Sequence, residues 1–243
     1  MRSIFALRLL PALAALHFSF ACAQGAGPAP GEYIGTHGSG KLNIAAPAGG
    51  GQKFTLQSYG ANGHSCDLDG VIHGRQARVD TEKGMAACVI DFTAKGADLD
   101  VVSKTDDACR FFCGARAAFD GAYLQPPPGC KTVEMKKTRA AFKQAYDKKD
   151  YAQARATLAP LLGTCKTILD DFDESRIRND LAVALYHQGD LAECRKVLEP
   201  LRELAAMNDK KIDEGYPPSD ADTYKPIARA ARTNLRLCQG SAK

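Results

Sequence analysis

Tryptophan is absent from the 243 residues, and aromatic side chains make up only 7% of them. Such a chain offers little for stacking on sugar rings, although Tyr33, Tyr59 and Tyr123 remain. A strong charge of either sign is also missing. The formal net charge is +4, and without Arg2 and Arg8 it falls to +2, from 30 basic against 28 acidic residues. A charge this close to balance gives no reason to expect binding to nucleic acid or to anionic lipid.

The chain also lacks the motifs of common nucleotide-binding sites and hydrolases. The glycines at 49–51 precede a strand pattern, whereas phosphate-binding glycine loops open a helix. There is no nucleophile-elbow pattern, and no histidine is paired with a plausible serine. We therefore expect no cofactor, no metal site and no enzymatic activity.

The first 23 residues have the zones of a secretory signal peptide. Arg2 and Arg8 precede an apolar run from Leu9 to Leu16, and the small-residue site Ala21-Cys22-Ala23 precedes Gln24. The run is too short for a bilayer core of about 30 Å, and no later segment is long enough, so we expect no membrane span. Cleavage before Cys22, which would give a lipoprotein, is the alternative. The mature chain is expected to be periplasmic or secreted.

Eight cysteines remain after Cys22 is removed with the signal peptide. An even number in an exported chain indicates disulfides, because oxidising compartments form and keep them. Spacing alone leaves the connectivity open. The residues predicted to be disulfide-bonded are Cys66, Cys88, Cys109, Cys113, Cys130, Cys165, Cys194 and Cys238.

Residues 31–124 alternate apolar and polar side chains, as half-buried strands do. Leu42 and Ile44 show this period of two, and it recurs in short runs as far as Val101. Asn62-Gly63 predicts a hairpin turn. Six or seven short strands without intervening helices predict an antiparallel β-barrel or β-sandwich.

A proline-rich linker, residues 125–131, separates this β-domain from a helical one. Its proline run is stiff and extended, whereas apolar residues recur with helical spacing across residues 132–243. The predicted fold class is therefore α+β, with a disulfide-containing β-domain followed by an α-helical domain. We expect the two halves to fold separately.

The helical domain contains an internal repeat with an offset of 40 residues, because residues 146–161 align with residues 186–201. Asp150 and Asp190 take equivalent places as candidate N-caps of the second helix in each pair. Another apolar stripe predicts a further helix: Ile227, Ala231, Leu235 and Cys238.

The repeated order is a tyrosine, an aspartate, a small residue and a leucine, each four residues after the last. It resembles the tetratricopeptide repeat over residues 138–206. The period is 40 where the family has about 34, and Pro160 and Pro200 lie inside the expected second helices. The resemblance implies stacked helix pairs with a groove for a protein or peptide partner.

Helix-pair geometry suggests two of the disulfides. The start of one helix lies beside the end of its antiparallel partner, which favours Cys130–Cys165 and Cys194–Cys238. The other four cysteines would then pair inside the β-domain. A Cys113–Cys130 bridge across the linker is the alternative.

The densest polar cluster is residues 62–70, with His73 nearby. Asp67 and Asp69 resemble part of a calcium loop whose remaining ligands are missing, and His64 could share a metal with His73 only if neighbouring strands brought them together. We interpret the cluster as a turn followed by a solvated strand.

The segment Cys109–Tyr123 is the second candidate. Cys109 and Cys113 are spaced C-x3-C and not C-x-x-C, so we interpret them as structural. The segment resembles corners that close β-domains of exported bacterial proteins, some of which are described as lysozyme inhibitors. That resemblance implies an alternative function, inhibition of a secreted hydrolase through residues 58–66 or 103–113. The favoured expectation is an exported, non-enzymatic protein-binding module whose tetratricopeptide-like helices engage a protein or peptide partner.

Overall fold

The computed structural model describes residues 27–240, so the predicted signal peptide and Cys22 lie outside the described residues. Eight antiparallel strands form a closed barrel, in which each strand pairs with its neighbour in sequence and β8 returns to β1. Helices follow the barrel, which confirms the α+β class and selects the barrel over the sandwich. The strands are β1 Gly31–Gly35, β2 Gly40–Ile44, β3 Gln52–Tyr59, β4 Ser65–His73, β5 Gln76–Val79, β6 Cys88–Lys95, β7 Asp98–Ser103 and β8 Gly121–Leu124.

The count of eight strands exceeds the six or seven expected from alternation. The two strands without an alternating pattern are the ones that close the barrel, β1 and β8. Ile34 pairs with Leu124, and Gly35 pairs with Tyr123. In both strands the apolar residues are adjacent, Tyr33 with Ile34 and Tyr123 with Leu124, so the alternation that marks a half-buried strand is absent.

The inward faces of the strands fill the barrel with side chains. Tyr33, Phe54 and Phe92 are fully buried there, and the rings of Phe54 and Phe92 meet edge to face with centroids 5.2 Å apart. Aromatic pairs favour this arrangement over a face-to-face sandwich. The barrel interior is therefore a packed core.

The predicted hairpin turn joins β3 to β4. Asn62 and Gly63 both have positive φ, 62° and 70°, which is the left-handed conformation that asparagine and glycine adopt at least cost. The turn places Tyr59 opposite Ser65 and starts an eight-pair antiparallel ladder. Gly60, before the turn, lies so close to the backbone of Arg116 that an added Cβ would overlap its carbonyl oxygen.

Two disulfides tie the connection between β7 and β8 to the barrel. Cys66 of β4 is bonded to Cys113, and Cys88 of β6 is bonded to Cys109, with Cα–Cα distances of 4.0 and 4.5 Å. The corner formed by the Cys109–Tyr123 segment is fixed by a further contact, because the Tyr123 hydroxyl donates to the carbonyl oxygen of Phe119 at 3.0 Å. Burial raises the pKa of that hydroxyl, and the charge of Asp120 adds to the shift.

The helical region is built from antiparallel neighbours. Helix α2 packs on α3, α3 packs on α4, and α4 packs on both α5 and α8. The predicted late helix is α8. The helices are α1 Asp106–Cys109, within the barrel corner, then α2 Thr132–Asp147, α3 Tyr151–Thr164, α4 Asp171–His187, α5 Leu191–Leu198, α6 Arg202–Ala206, α7 Asp209–Gly215 and α8 Pro218–Gln239.

The 40-residue offset is visible in the helix boundaries. Asp150 and Asp190 are the N-caps of α3 and α5, and their carboxylates accept from the amides of Gln153 and Glu193 at 3.0 and 3.2 Å. Both predicted caps are therefore confirmed. The copies differ later, because α3 continues through Pro160, whereas the chain after α5 makes a 3₁₀ turn over Glu199–Leu201 before α6.

The two helical disulfides join the residues favoured by helix-end geometry. Cys130, before α2, is bonded to Cys165 after α3, with Cα atoms 5.5 Å apart. Cys194 of α5 is bonded to Cys238 of α8, with Cα atoms 5.6 Å apart. The alternative Cys113–Cys130 bridge is not formed, because Cys113 is bonded to Cys66.

The barrel and the helices also contact each other away from residues 125–131. Ile34 belongs to the same buried cluster as Phe142 of α2, and the backbone N–H of His37 donates to the carbonyl oxygen of Thr167 at 2.8 Å. At the hairpin tip, the Asn62 backbone N–H donates to the Asp220 carboxylate. The Asn62 side-chain oxygen in turn accepts from the Ser219 amide at 3.1 Å. The first turn of α8 is thus held against the β3–β4 turn.

Across residues 27–240, the helices are all too short or too polar to cross a membrane. The four disulfides fit a chain that folds in an oxidising compartment.

The Cys130–Cys165 bridge gives a first testable prediction. A Cys130→Ser/Cys165→Ser double variant should lose about 2–4 kcal/mol in free energy of unfolding, because the bridge restricts the unfolded chain. Urea titration followed by circular dichroism measures this loss. Non-reducing peptide mapping of the wild-type chain should recover the four linked pairs, and a peptide joining Cys113 to Cys130 would contradict the assignment.

Candidate functional site

The two histidines of the polar cluster lie at opposite ends of β4. His64 precedes the strand and His73 ends it, so the nine residues of β4 place them roughly 30 Å apart. His64 packs against Gly114, and His73 Nδ1 lies 3.2 Å from the carbonyl oxygen of Gly50. They cannot share a metal ion. Within residues 27–240, no group of three or more His, Cys, Asp or Glu side chains is placed to hold one.

Asp67 and Asp69 are exposed on the outer face of the barrel. Asp67 accepts from Gln57 Nε2 and from the Ser65 hydroxyl, each at 2.7 Å. A cleft of about 610 Å³ crosses the same face of β2, β3 and β4, where Asn43 and Asp69 line it. Cross-strand pairs of this kind are typical of a solvated strand face, as interpreted from the sequence.

The disulfides bring both loops of the predicted inhibitory surface to one end of the barrel. Cys66 and Cys113 are bonded, and the Gly114 amide donates to the carbonyl oxygen of Ser65 at 2.8 Å. The tip of the 58–66 loop is engaged, because Asn62 contacts the first turn of α8. Segment 103–113 therefore offers the more open surface at this end.

A cleft of about 360 Å³ lies along that segment. Ser103 Oγ lies 2.9 Å from the Asp106 carboxylate and 3.0 Å from that of Asp120. Arg110 and the buried ring of Phe119 also line the cleft, and Phe111 next to Arg110 is 47% exposed. We call this feature the corner cleft.

A third cleft, of about 460 Å³, lies between α2 and α4. These are the first helices of the two repeated pairs, and capping positions both of them. Backbone amides of residues 129 and 131 donate to Glu134 in the first turn of α2, and Asp170 caps α4 by accepting from the Asp173 amide at 2.6 Å. We call this feature the helix cleft. Its lining residues are Arg139, Phe142, Lys143, Tyr146, Asp147, Asp180 and Val183.

Most charges around the helix cleft are paired. Arg139 lies 2.9 Å from the Asp173 carboxylate, which also accepts from Arg176 at 3.4 Å. Lys143 pairs with Asp147 at 2.7 Å, one helical turn further along α2. The cationic groups of α2 that reach the cleft are thus already held by carboxylates.

Asp180 is the exception. Among residues 27–240, its carboxylate receives no hydrogen bond and forms no ion pair within 4.0 Å. Burial raises the pKa of the carboxyl group above its usual range, and the charge of Arg139 offsets only part of this effect. Burial also raises the pKa of the Tyr146 hydroxyl, and the charges of Asp180 and Asp147 contribute. The Asp180 carboxylate and the Tyr146 hydroxyl therefore both lie at the helix cleft with pKa values raised by burial.

An aromatic cluster adjoins the helix cleft through Tyr146. The Tyr146 ring lies edge-on to Tyr151, with centroids 5.4 Å apart, and Tyr151 stacks on His187 at 4.4 Å. Phe142 stacks on Tyr146 from the cleft side at 5.9 Å. His187 is exposed to solvent, although its ring stacks on Tyr151.

Sequence reasoning did not identify the helix cleft or Asp180. The repeat alignment follows the buried stripe, whereas Asp173, Asp180 and Val183 lie on another stripe of α4. Their spacing of seven and three residues places them on one helix face, and that signal could have pointed to a second lined surface. The partner wall on α2 is set by tertiary packing and has no signature in sequence.

The fold and its clefts define a disulfide-bonded β-barrel joined to a layer of antiparallel helix pairs. Comparison with protein-family models, curated proteins and solved structures gives no match to this chain.

Replacing Asp180 gives the second prediction. Its folded-state pKa lies above the unfolded value, so its stabilising contribution is present below the unfolded pKa of about 3.9 and is lost as the pH rises through the folded pKa. Asp180→Asn should therefore raise the thermal midpoint at pH 7, and the difference from wild type should close as the pH falls below about 4.

Differential scanning calorimetry from pH 3 to pH 8 (about the range between carboxyl and histidine titration) measures this difference. Asp222→Asn is the matched control, because Asp222 is exposed and its one ion pair within residues 27–240 is with Lys225, at 3.1 Å. It should change stability by less than about 1 kcal/mol at any pH. Equal behaviour of the two variants would show that the environment of Asp180 is not special.

Proposed function

We propose that this chain is an exported, non-enzymatic protein-binding module whose helical region binds a protein or peptide partner in the helix cleft. The observation that carries the proposal is the cleft of about 460 Å³ between α2 and α4, which is lined by Phe142 and by the half-buried side chains of Tyr146 and Val183. Peptide-binding grooves combine such walls with a few polar groups that orient the ligand.

The repeat supports the same conclusion. Helices α2 and α4 are the first members of consecutive pairs, and α8 packs on α4 in the following place. In tetratricopeptide-like stacking, successive helix pairs form a continuous layer with one concave side. The resemblance in residues 138–206 therefore predicts a binding groove along this layer of helices.

The third prediction tests the cleft as a peptide site. A library of random dodecapeptides (about the length of groove-binding helices) selected on the immobilised, oxidised full chain should yield binders. Val183→Arg, which places a long charged side chain in the cleft, should weaken these binders at least about tenfold by isothermal titration calorimetry, a change of 1.4 kcal/mol.

Ala156→Arg is the control, because Ala156 is exposed on α3 and does not line the helix cleft. It should leave the affinity unchanged, and circular dichroism should show both variants folded. Loss of binding in both variants, or failure to select any binder that depends on Val183, contradicts the proposal.

A second candidate function, inhibition of a secreted hydrolase such as lysozyme, is favoured by the corner cleft. Its loop is held rigidly by two disulfides and presents Phe111 and Arg110 side by side at the surface. Rigid, disulfide-held loops bind with little loss of conformational entropy, which suits an inhibitor.

The fourth prediction tests this candidate. The purified full chain should inhibit lysozyme in a cell-wall lysis assay, and Phe111→Ala with Arg110→Ala should weaken inhibition at least about tenfold, because aromatic and arginine anchors dominate interfaces. Met85→Ala, an exposed apolar truncation on the β5–β6 connection, is the control. Absence of inhibition at equimolar or excess protein contradicts this candidate for lysozyme.

A further inference from the structure

We propose that the helix cleft receives a lysine or arginine side chain of a partner peptide, and that the Asp180 carboxylate accepts the hydrogen bonds of its cationic end. This inference rests on the proposed function, since it assumes that a peptide occupies the helix cleft. The inference specifies which kind of peptide side chain enters the helix cleft.

The first argument is the uncompensated carboxylate. The other two carboxylates at the cleft, Asp147 and Asp173, are each engaged by a cation within 3.4 Å, whereas Asp180 has none within 4.0 Å among the described residues. An ionised carboxylate is only an acceptor, so the group that completes it must be a donor. A charged donor makes the stronger bond, particularly where water is partly excluded.

The second argument is the shape of the walls. Phe142, Tyr146 and Val183 line the space in front of Asp180 with apolar surface. Lysine and arginine carry a long apolar stem and a charged end, so the stem can lie along such walls while the end reaches a carboxylate. An aromatic ring beside the cation adds attraction between the positive charge and the ring face.

The third argument excludes the opposite charge. An acidic side chain entering this space would meet Asp180 and find only cations that are already held, Arg139 by Asp173 and Lys143 by Asp147. It would have to break an existing pair to be compensated. A basic side chain breaks none, so charge complementarity favours it.

The stability of the free protein points the same way. An unpaired, partly buried carboxylate opposes folding at neutral pH, and a cation bound beside it would remove part of that cost. The pKa of the Asp180 carboxyl is raised, and a bound cation would lower it again, so peptide binding should release protons near the pH at which this group titrates.

The fifth prediction uses the dodecapeptides selected on the wild-type chain. They should share a lysine or arginine at one position, and replacing that residue with norleucine should weaken binding at least about tenfold, corresponding to 1.4 kcal/mol. Asp180→Asn should weaken the basic peptide by a similar factor and leave the norleucine peptide unchanged. Asp180→Lys should reverse the preference, so that a glutamate version of the peptide binds better than the basic one.

Asp222→Asn is the matched control and should retain the full preference, since Asp222 lies on α8 outside the helix cleft. Asp180→Asn is expected to be at least as stable as wild type at pH 7, so lost binding would not report unfolding. Selected peptides that depend on Val183 but carry no basic residue, or that bind Asp180→Asn equally well, overturn this inference and leave the proposed function standing. If no peptide depends on Val183, both are overturned.

Discussion

The pairing of β8 with β1 is the contact on which the rest of the molecule depends. Ile34 and Leu124 face each other across this pair and close the barrel. Both also pack against the buried cluster of α2, α3 and α4, so the residues that complete the sheet are the residues on which the helices rest. Opening this edge would expose a sheet edge and uncover part of the helical core at once.

The position of the helix cleft depends on the pairing of β8 with β1. Seven residues separate the end of β8 from the start of α2, and the Cys130–Cys165 bridge holds that start against the end of α3. Helix α4 then returns beside α3, which brings Asp180 opposite Tyr146. A small shift of α2 would therefore open the space in front of Asp180, whereas the capped and bridged connections resist that shift.

Much of this arrangement could be predicted from local signals. The Asn62-Gly63 turn, the Asp150 and Asp190 caps and the late helix α8 each rest on a few neighbouring residues, and those residues have the structure expected of them. The closing strands could not be predicted, because their apolar residues are adjacent and do not alternate with polar ones. Pro160 and Pro200 looked equivalent in sequence, yet only Pro160 lies in a continuous helix. The separation of His64 from His73 followed only once β4 was known to contain the whole interval.

Asp180 shows most clearly where sequence reasoning ends. An aspartate in a polar stripe of a helix is expected to be solvated, and nothing near it in sequence indicates otherwise. Its unusual state arises because α2 approaches from 34 to 41 residues earlier, between Tyr146 and Arg139, and covers it. The candidate site is thus a product of packing between two helices, and neither helix alone carries its signature.

The connectivity of the four disulfides has a consequence for how the chain matures. In the helical region each cysteine is bonded to the next one along the chain, Cys130 to Cys165 and Cys194 to Cys238. In the barrel the bridges are nested, because Cys88–Cys109 lies inside the interval closed by Cys66–Cys113. Cysteines oxidised strictly in order of synthesis would join Cys66 to Cys88 and would then have to exchange partners. The barrel half therefore depends on thiol–disulfide exchange, or on folding ahead of oxidation, whereas the helical half reaches its native bridges by pairing in order.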